Sequence, residues 1–370
     1  MATLRWSLLL LYTAALAQAT TAFHPKDYSK RTTTCKASRR GVEKEDIVDI
    51  DIKYVNVNSA APQTLLMVHG WPGLWSTWSK QIQGFERDYH LVVPDLRGFA
   101  ESSHPGEVQS SGSLPDIVDD LICVLDDANV SSAICIGHDW GSSICYEAAR
   151  LRPDRIKAVV GAVVPYVPSA GDFLPIKELV PMLPTLTYQL FFDSQPKAAA
   201  MELDRDVRRT IRATLRTVAS PPPDDFLKDK ESFLSAWDGV EEIAPVPFFT
   251  PEEEDYFVEQ YSLNGFKNTL YFYSDENRRR GWQLANSQGN HTITQPVLAI
   301  YPTEDPVANW AHLAKMLGSE QHLPHLTTHV MPGAHWVNLE HPEEFNTAVR
   351  KWLDSLPPLP ERNDNKHDEL

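Results

Sequence analysis

The chain has 370 residues, of which 42% are hydrophobic and 23% are charged. This length suits one large domain or a domain with an insert, and no repeat of fixed period is visible. The formal net charge of −16 argues against nucleic acid or an anionic membrane surface as a partner, and it says little about a small-molecule substrate.

Both ends of the chain carry targeting signals. Residues 1–19 combine the basic Arg5, an apolar stretch and the small-residue site Ala17-Gln-Ala19, a pattern that predicts a cleaved signal peptide. The apolar stretch is short for a membrane span, so an uncleaved anchor is the weaker alternative and no stable membrane insertion is expected. The final residues, His367-Asp-Glu-Leu370, match the retrieval signal of the endoplasmic reticulum. We therefore expect a protein of the reticulum lumen that binds the retrieval receptor.

Possible glycosylation sites and the cysteines also bear on the expected location in the reticulum lumen. Asn129 and Asn290 each begin a sequon, and the sequence leaves their occupancy open. The four cysteines are Cys35, Cys123, Cys135 and Cys145. The last three lie in segments that read as core helix, core strand and core helix, where buried thiols are expected, although the lumen permits disulfides. The first lies in a polar leader and either pairs or stays free.

The first half of the chain alternates predicted strands with helices. Residues 20–45 are polar and basic, which predicts an extended arm. Apolar and polar residues alternate over 47–57, a pattern typical of a half-buried antiparallel strand. Short apolar runs typical of buried parallel strands follow at 64–68, 90–94, 132–136 and 156–164. Helical patterns lie between them at 116–125 and 141–150. This order predicts a doubly wound α/β sheet.

The pattern breaks near Pro165 and resumes after residue 292. Residues 165–292 are rich in proline and aromatic residues, contain helix-like stretches and show no convincing strand, so they predict a helical cap or lid. Two strands at 296–301 and 326–331 and a helix at 343–353 follow. We therefore expect an α/β core from residues 46–164 and 293–356, the inserted cap, and an exposed tail over 357–370.

The segment Gly137-His-Asp-Trp-Gly141 has the form of a nucleophile elbow, with aspartate where serine is usual. A carboxylate that attacks saturated carbon forms an ester, which water can hydrolyse if an oxyanion hole is present. An aspartate at this point therefore indicates substrates opened by displacement at carbon, namely epoxides or alkyl halides. The alternative is an aspartate that only caps the following helix.

Four further residues supply the rest of the expected chemistry, each near the end of a predicted strand. His335 follows the last strand and is the candidate base for the attacking water. Asp305 follows the preceding strand and would orient the imidazole, with Glu304 as a rival and a helix cap as the alternative role. The backbone N–H groups of Trp71 and Trp140 are the candidate oxyanion donors.

These segments together resemble the epoxide hydrolases of the α/β-hydrolase fold. The resemblance rests on His69-Gly-Trp-Pro72, Asp95-Leu-Arg-Gly98, Gly137-His-Asp-Trp-Gly141, Asp305 and Ala334-His-Trp336, and it covers about residues 47–355. It implies a mostly parallel, doubly wound sheet with an inserted cap, and a reaction that needs neither a cofactor nor a metal. Ala100 and Ala334 depart from the family, which usually has glycine at both positions.

The resemblance also implies two cap tyrosines that hydrogen-bond the epoxide oxygen. Tyr188 matches the first, and Tyr273, in the run Gly265–Tyr273, matches the second. Tyr271 lies one position out of register and stays an alternative. Such phenols suit the chemistry, because ring opening leaves an alkoxide that needs hydrogen bonds and a proton.

The predicted function is conversion of a lipophilic epoxide to a vicinal diol through an ester on Asp139. Together with Trp140, the side chains of Trp75, Phe191 and Phe192 are expected to line an apolar substrate pocket. A haloalkane dehalogenase is the alternative enzyme, although dehalogenases typically have asparagine where this chain has Trp71. A non-catalytic binding module is the alternative of another class.

Overall fold

The computed structural model describes residues 22–357. The predicted signal peptide and the retrieval signal lie outside the described residues. Within 22–357 the chain forms eight strands, which are β1 (Lys30–Arg39), β2 (Asp46–Val57), β3 (Thr64–Val68), β4 (His90–Pro94), β5 (Ala133–His138), β6 (Ile156–Ala162), β7 (Val297–Pro302) and β8 (Leu326–Met331).

The described residues also form twelve α-helices. They are α1 (Ser79–Phe85), α2 (Leu114–Asp127), α3 (Trp140–Leu151), α4 (Ile176–Leu179), α5 (Tyr188–Ser194), α6 (Pro196–Asp204), α7 (Val207–Thr214), α8 (Pro251–Asn264), α9 (Asp275–Gln288), α10 (Trp310–Met316), α11 (Val337–Glu340) and α12 (Pro342–Ser355). A 3₁₀ helix spans Lys267–Tyr273. None of the helices in the described part of the chain is long and apolar enough to cross a membrane.

The strands form one sheet in the order β1-β2-β4-β3-β5-β6-β7-β8. The first two strands pair antiparallel, β2 also runs antiparallel to β4, and the remaining strands are parallel. The predicted α/β class with a mostly parallel, doubly wound sheet is confirmed. Because the carboxyl ends of β3, β5, β7 and β8 lie on the same edge, the loops that follow them meet there.

Both faces of the sheet are covered, which explains the continuous apolar runs in its central strands. Along β3, Leu66 and Val68 pack into one hydrophobic core, whereas Leu65 and Met67 pack into the other. All residues of β3, β4 and β5 are buried. The alternation of side chains across a strand thus divides a single apolar run between two layers.

The expected extended arm over residues 20–45 is wrong for its central part, because β1 is an edge strand of the sheet. It pairs with β2 over ten residues, with Cys35 opposite Ile50. Its buried side chains are Thr33, Cys35 and Ala37. Because these buried residues are small or polar, the segment shows no clear alternation of large apolar and polar side chains, which is the usual sequence signal for a strand.

The expectation of buried thiols is also wrong, because all four cysteines are paired in disulfides. Cys35 on β1 bonds Cys123 on α2, and Cys135 on β5 bonds Cys145 on α3. The first pair forms because β1 joins the sheet beside α2. The second pair connects the strand and the helix on either side of residue 139.

Helices α4 to α9 form the cap between β6 and β7, where the described chain adds no strand to the sheet. Most of the cap is held by aromatic packing and by charged pairs, such as that of Arg212 with Glu254. The 3₁₀ helix Lys267–Tyr273 brings the cap back over the carboxyl edge of the sheet, where the indole N–H of Trp71 donates to Thr269 Oγ1 at 3.0 Å.

Candidate active site

Asp139 lies at the sharp turn between β5 and α3. Its backbone has φ 57° and ψ −124°, a conformation that L-residues rarely adopt. Two glycines permit this turn, because a Cβ on Gly137 would overlap the Gly141 carbonyl, and a Cβ on Gly141 would overlap that of Val68. The turn projects the carboxylate into the space between the sheet and the cap.

Backbone N–H groups hold the Asp139 carboxylate from one side. The amide of Trp71 donates to Oδ1 at 2.9 Å, and the amide of Trp140 also donates to the carboxylate. Gly70 allows this approach, since a Cβ there would collide with the same oxygen. Trp71 and Pro72 are joined by a cis peptide bond. Both backbone amides that the sequence predicts as oxyanion donors therefore hydrogen-bond the Asp139 carboxylate.

His335 lies on the other side of the carboxylate. Its Nε2 is 3.6 Å from Asp139 Oδ2, and its Nδ1 is 2.8 Å from Asp305 Oδ2. Asp305 also accepts from the amide of Val307 at 2.8 Å. Glu304 instead accepts from the amide of Gly333, so the structure places Asp305 and not its rival at the imidazole.

Burial and charge act in opposite directions on the two central groups. Burial raises the pKa of Asp139, while the positive charge of His335 and the two amides oppose that rise. Burial alone would lower the pKa of His335, but the carboxylates of Asp305 and Asp139 outweigh it and raise the pKa to about 9. The resting site therefore holds an imidazolium beside a carboxylate.

The cap contributes two tyrosines, Tyr188 and Tyr273, whose phenols interact electrostatically with the Asp139 carboxylate. Tyr188 begins α5 and Tyr273 ends the 3₁₀ helix, and their rings are 5.6 Å apart with their hydroxyls hydrogen-bonded. Burial and the charge of Asp139 raise the pKa of both phenols, so both are protonated donors. Tyr271 stacks on His104 instead, and no hydrogen-bond partner for its hydroxyl lies among residues 22–357.

A cavity of about 780 Å³ lies between the core and the cap, and Asp139, Trp140, Tyr188 and His335 all line it. Its walls are mainly apolar side chains, among them Leu179, Leu183, Leu186, Phe226, Phe272 and Trp282. Such a cavity suits an apolar small molecule.

Three predicted pocket residues do not line the cavity. Trp75 is buried in the hydrophobic core that contains Leu65 and Met67, and its indole N–H donates to the hydroxyl of Tyr256 at 2.8 Å. Phe191 and Phe192 are buried against each other, and Phe192 packs on Tyr188 and Tyr273. An aromatic-rich sequence does not show which rings face inward, so these assignments are wrong.

Two supporting residues were not predicted from the sequence. The indole N–H of Trp310 donates to Asp305 Oδ2 at 2.6 Å, which holds that carboxylate against the imidazole. His138 is buried and lies 2.8 Å, by its Nε2, from the backbone oxygen of His335. Burial lowers the pKa of His138 to about 3, so it is a neutral residue that fixes the loop. The sequence could have indicated this supporting role, because His138 lies inside the elbow motif next to Asp139.

No group of three or more His, Cys, Asp or Glu side chains in the described part of the chain is arranged to hold a metal ion. The acidic side chains of Asp139 and Asp305 at the carboxyl edge of the sheet instead contact His335. The arrangement of the site provides a carboxylate, a histidine with its orienting carboxylate, two amide donors and two hydrogen-bonded phenols, of which that of Tyr188 lines the apolar cavity.

Comparison with known proteins agrees with this geometry. The chain is 28% identical over 312 residues to bifunctional epoxide hydrolase 2 of Sus scrofa and 27% identical over 328 residues to epoxide hydrolase A of Mycobacterium tuberculosis. These matches cover 81% and 85% of this chain, and 53% and 99% of the respective relatives. The chain thus spans about half the length of the bifunctional relative.

A solved structure shows the same fold. Epoxide hydrolase A from Mycobacterium thermoresistibile is 26% identical and superposes with a TM-score of 0.71, over 88% of this chain and 100% of that one. The motif resemblance to epoxide hydrolases is thereby confirmed. The family model for the alpha/beta hydrolase fold matches residues 63–342, which is most of the chain. The chain belongs to the alpha/beta hydrolase fold family.

Proposed function

We propose that the protein is an epoxide hydrolase that converts a lipophilic epoxide to a vicinal diol by way of an ester on Asp139. The observation that carries this proposal is that Asp139, His335 and Tyr188 line one apolar cavity, with the hydroxyl of Tyr273 hydrogen-bonded to that of Tyr188. Its relatives of similar length bear the name epoxide hydrolase, which supports the same reaction class.

In the first step Asp139 attacks one oxirane carbon. The Trp71 amide holds Oδ1, which leaves Oδ2 to form the new C–O bond while the other C–O bond of the ring breaks. The departing oxygen receives hydrogen bonds and a proton from the phenols of Tyr188 and Tyr273. Because the ester has no charge, the His335 imidazolium then loses its proton to the tyrosinate that ring opening leaves, which restores the phenol and leaves His335 neutral.

In the second step neutral His335 removes a proton from water, and the water oxygen attacks the ester carbon. The tetrahedral oxyanion forms on Oδ1, which accepts from the Trp71 amide in the resting site, and the Trp140 amide also donates to this carboxylate. Collapse releases the diol, whose new oxygen is Oδ2 of the aspartate. The carboxylate and the imidazolium are thereby restored.

The test is product analysis with purified protein. We expect a diol from an aryl or fatty epoxide and no chloride from a chloroalkane of similar size. Chloride without diol would instead favour a haloalkane dehalogenase. If neither compound reacts although both bind, the proposal fails in favour of a binding module.

We further propose that the protein acts in the lumen of the endoplasmic reticulum and is retained there by its retrieval receptor. The two end signals support this location, and two disulfides suit an oxidising compartment. The sequon residues Asn129 and Asn290 are exposed, so both are accessible to glycosylation. Digestion with an endoglycosidase that removes high-mannose glycans should lower the apparent mass of the secretory-pathway protein if either site is occupied.

A further inference from the structure

The cavity holds a charged side chain that the proposed mechanism does not use. Arg278 is the fourth residue of α9 and lines the same cavity as Asp139 and Tyr188. Its Nη1 atom is buried and has no hydrogen-bond partner among the described residues. None of the acidic side chains in residues 22–357 forms an ion pair with it. The side chain as a whole is only partly buried, but a buried Nη1 group without a partner costs free energy, so this position calls for a role.

Three buried arginines in the described part of the chain show how a guanidinium is usually satisfied. Arg97 donates twice to Asp120, and Arg150 donates twice to Glu147. Arg216 has no carboxylate partner, but it donates to the backbone oxygens of Ser220 and Ala244. Arg278 has neither arrangement, which sets it apart from these three.

Two carboxylates, those of Asp275 and Asp193, interact electrostatically with Arg278, but both bind other partners. Asp193 Oδ1 accepts from the backbone amide of Asp275 at 2.9 Å, and the Asp275 side chain pairs with Arg279 at 3.1 Å. Burial lowers the pKa of Arg278, and these two carboxylates only partly oppose the effect. The side chain still carries its positive charge at neutral pH, since an arginine pKa is far above that range.

Arg278 and Tyr188, one of the two cap phenols, line the same cavity and interact electrostatically. An anion at Arg278 and an oxirane at Asp139 would therefore occupy one cavity. The rest of the cavity lining is mainly apolar, with Leu179, Leu183, Leu186 and Phe226 among its side chains. A ligand that fits both ends has an apolar body, a reactive oxirane and a separate anionic group.

We propose that Arg278 is a specificity-determining residue that binds a carboxylate on the substrate, so that the preferred epoxides are carried on apolar chains ending in a carboxylate. This inference rests on the proposed epoxide hydrolysis and adds its substrate class. Arginine suits the task, because its planar fork of donors matches the two oxygens of a carboxylate. The net charge of −16 repels anions at long range, so recognition depends on this local contact.

The test compares a long-chain epoxy fatty acid with its methyl ester, which has the same oxirane without the charge. We expect the native protein to turn over the acid with kcat/KM roughly 10- to 100-fold above that of the ester, as for a charge-assisted hydrogen bond. Arg278→Gln should reduce that ratio to near one, chiefly by lowering kcat/KM for the acid. Arg278→Lys should retain part of the preference. Arg205→Gln removes an exposed cap charge outside the cavity lining and should keep the full ratio.

Two results would overturn the inference. One is an acid-to-ester ratio that Arg278→Gln does not change. The other is a parallel loss of both rates, which would mean that Arg278 only stabilises the cap. A series of terminal epoxy acids of increasing length should show a rate maximum that Arg278→Gln removes.

Calorimetric binding of dodecanoate, which has no oxirane, separates this inference from the proposed reaction. Tighter binding to the native protein than to Arg278→Gln is expected even if no epoxide is hydrolysed. Equal binding by both proteins would refute carboxylate recognition, whereas absence of diol from both acid and ester would refute the hydrolysis instead.

Discussion

At the residue scale, the site depends on how the charge of one carboxylate controls its neighbours. Asp139 and Asp305 flank His335 and together raise its pKa to about 9. Formation of an ester would remove the charge of Asp139 and leave that of Asp305. The same histidine is therefore protonated in the resting site and becomes a base after the first step, without any movement of the chain.

Replacing the base should stop the reaction at the ester. In His335→Gln the carboxylate and the phenols remain, so Asp139 should still open the ring, while water is no longer activated. Intact-mass analysis should show protein plus one epoxide. The control is Asp139→Asn/His335→Gln, which should gain no mass. Failure to see an adduct on His335→Gln at saturating substrate would count against a covalent intermediate.

Replacing a cap phenol should slow ring opening. Tyr273→Phe removes a donor from the departing oxygen, and we expect diol formation to fall roughly 10²-fold or more. Tyr271→Phe is the matched control, because it removes a hydroxyl that has no hydrogen-bond partner in the described part of the chain. Normal turnover in Tyr273→Phe would show that this hydroxyl is not needed for ring opening. A comparable loss in Tyr271→Phe would show that the effect is not specific to Tyr273.

The pH dependence of ester hydrolysis follows from the same charges. Loss of the Asp139 charge lowers the pKa of His335 below about 9, and only neutral imidazole acts as a base. The single-turnover rate of diol release should therefore rise with pH and level off below about pH 9. Asp305→Asn should move this rise to still lower pH and reduce the plateau. A rate that falls as the pH is raised across this range would disagree with the assigned base.

At the element scale, the loops after four strands carry the site, and covalent links hold the elements behind it. The disulfide between Cys135 and Cys145 joins the strand and helix on either side of Asp139. That between Cys35 and Cys123 ties the edge strand β1 to α2 and closes a segment of 88 residues in sequence. Linking positions so far apart restricts the unfolded chain most strongly.

Removal of the longer link should cost stability and spare activity. For Cys35→Ala/Cys123→Ala, we expect the free energy of unfolding to fall by about 2–4 kcal/mol in urea titrations under oxidising conditions. Diol formation should be unchanged, because neither residue lines the cavity. An unchanged urea midpoint would mean that packing alone holds β1 in the sheet.

At the scale of the whole molecule, the cap is fastened to the core by polar contacts far from the reacting atoms. Lys30 on β1 contacts Asp95 of the core at 3.1 Å and Gln260 of the cap helix α8 at 2.7 Å. The hydroxyl of Tyr256 on the same helix accepts from Trp75. These contacts fix the roof of the cavity relative to its floor, so that the cap phenols face the core carboxylate.

Sequence patterns revealed the sheet and the reacting groups far better than the cavity wall. The bounds of β3 and β4 match the apolar runs at both ends, because a strand buried on both faces has a continuous signal. The strand β1 was missed, since its inward positions are small or polar. Trp75, Phe191 and Phe192 were misassigned, because which ring faces a cavity depends on packing between core and cap, and Arg278 had no motif to mark it.

The central claim is that the Asp139 carboxylate is alkylated and then regenerated, and one isotope measurement addresses it directly. A single turnover in ¹⁸O-labelled water, with protein in excess over epoxide, should yield unlabelled diol, because its new oxygen comes from the aspartate. The label should appear instead in the peptide that contains Asp139. A fully labelled diol from that first turnover would show direct attack by water and would contradict the account.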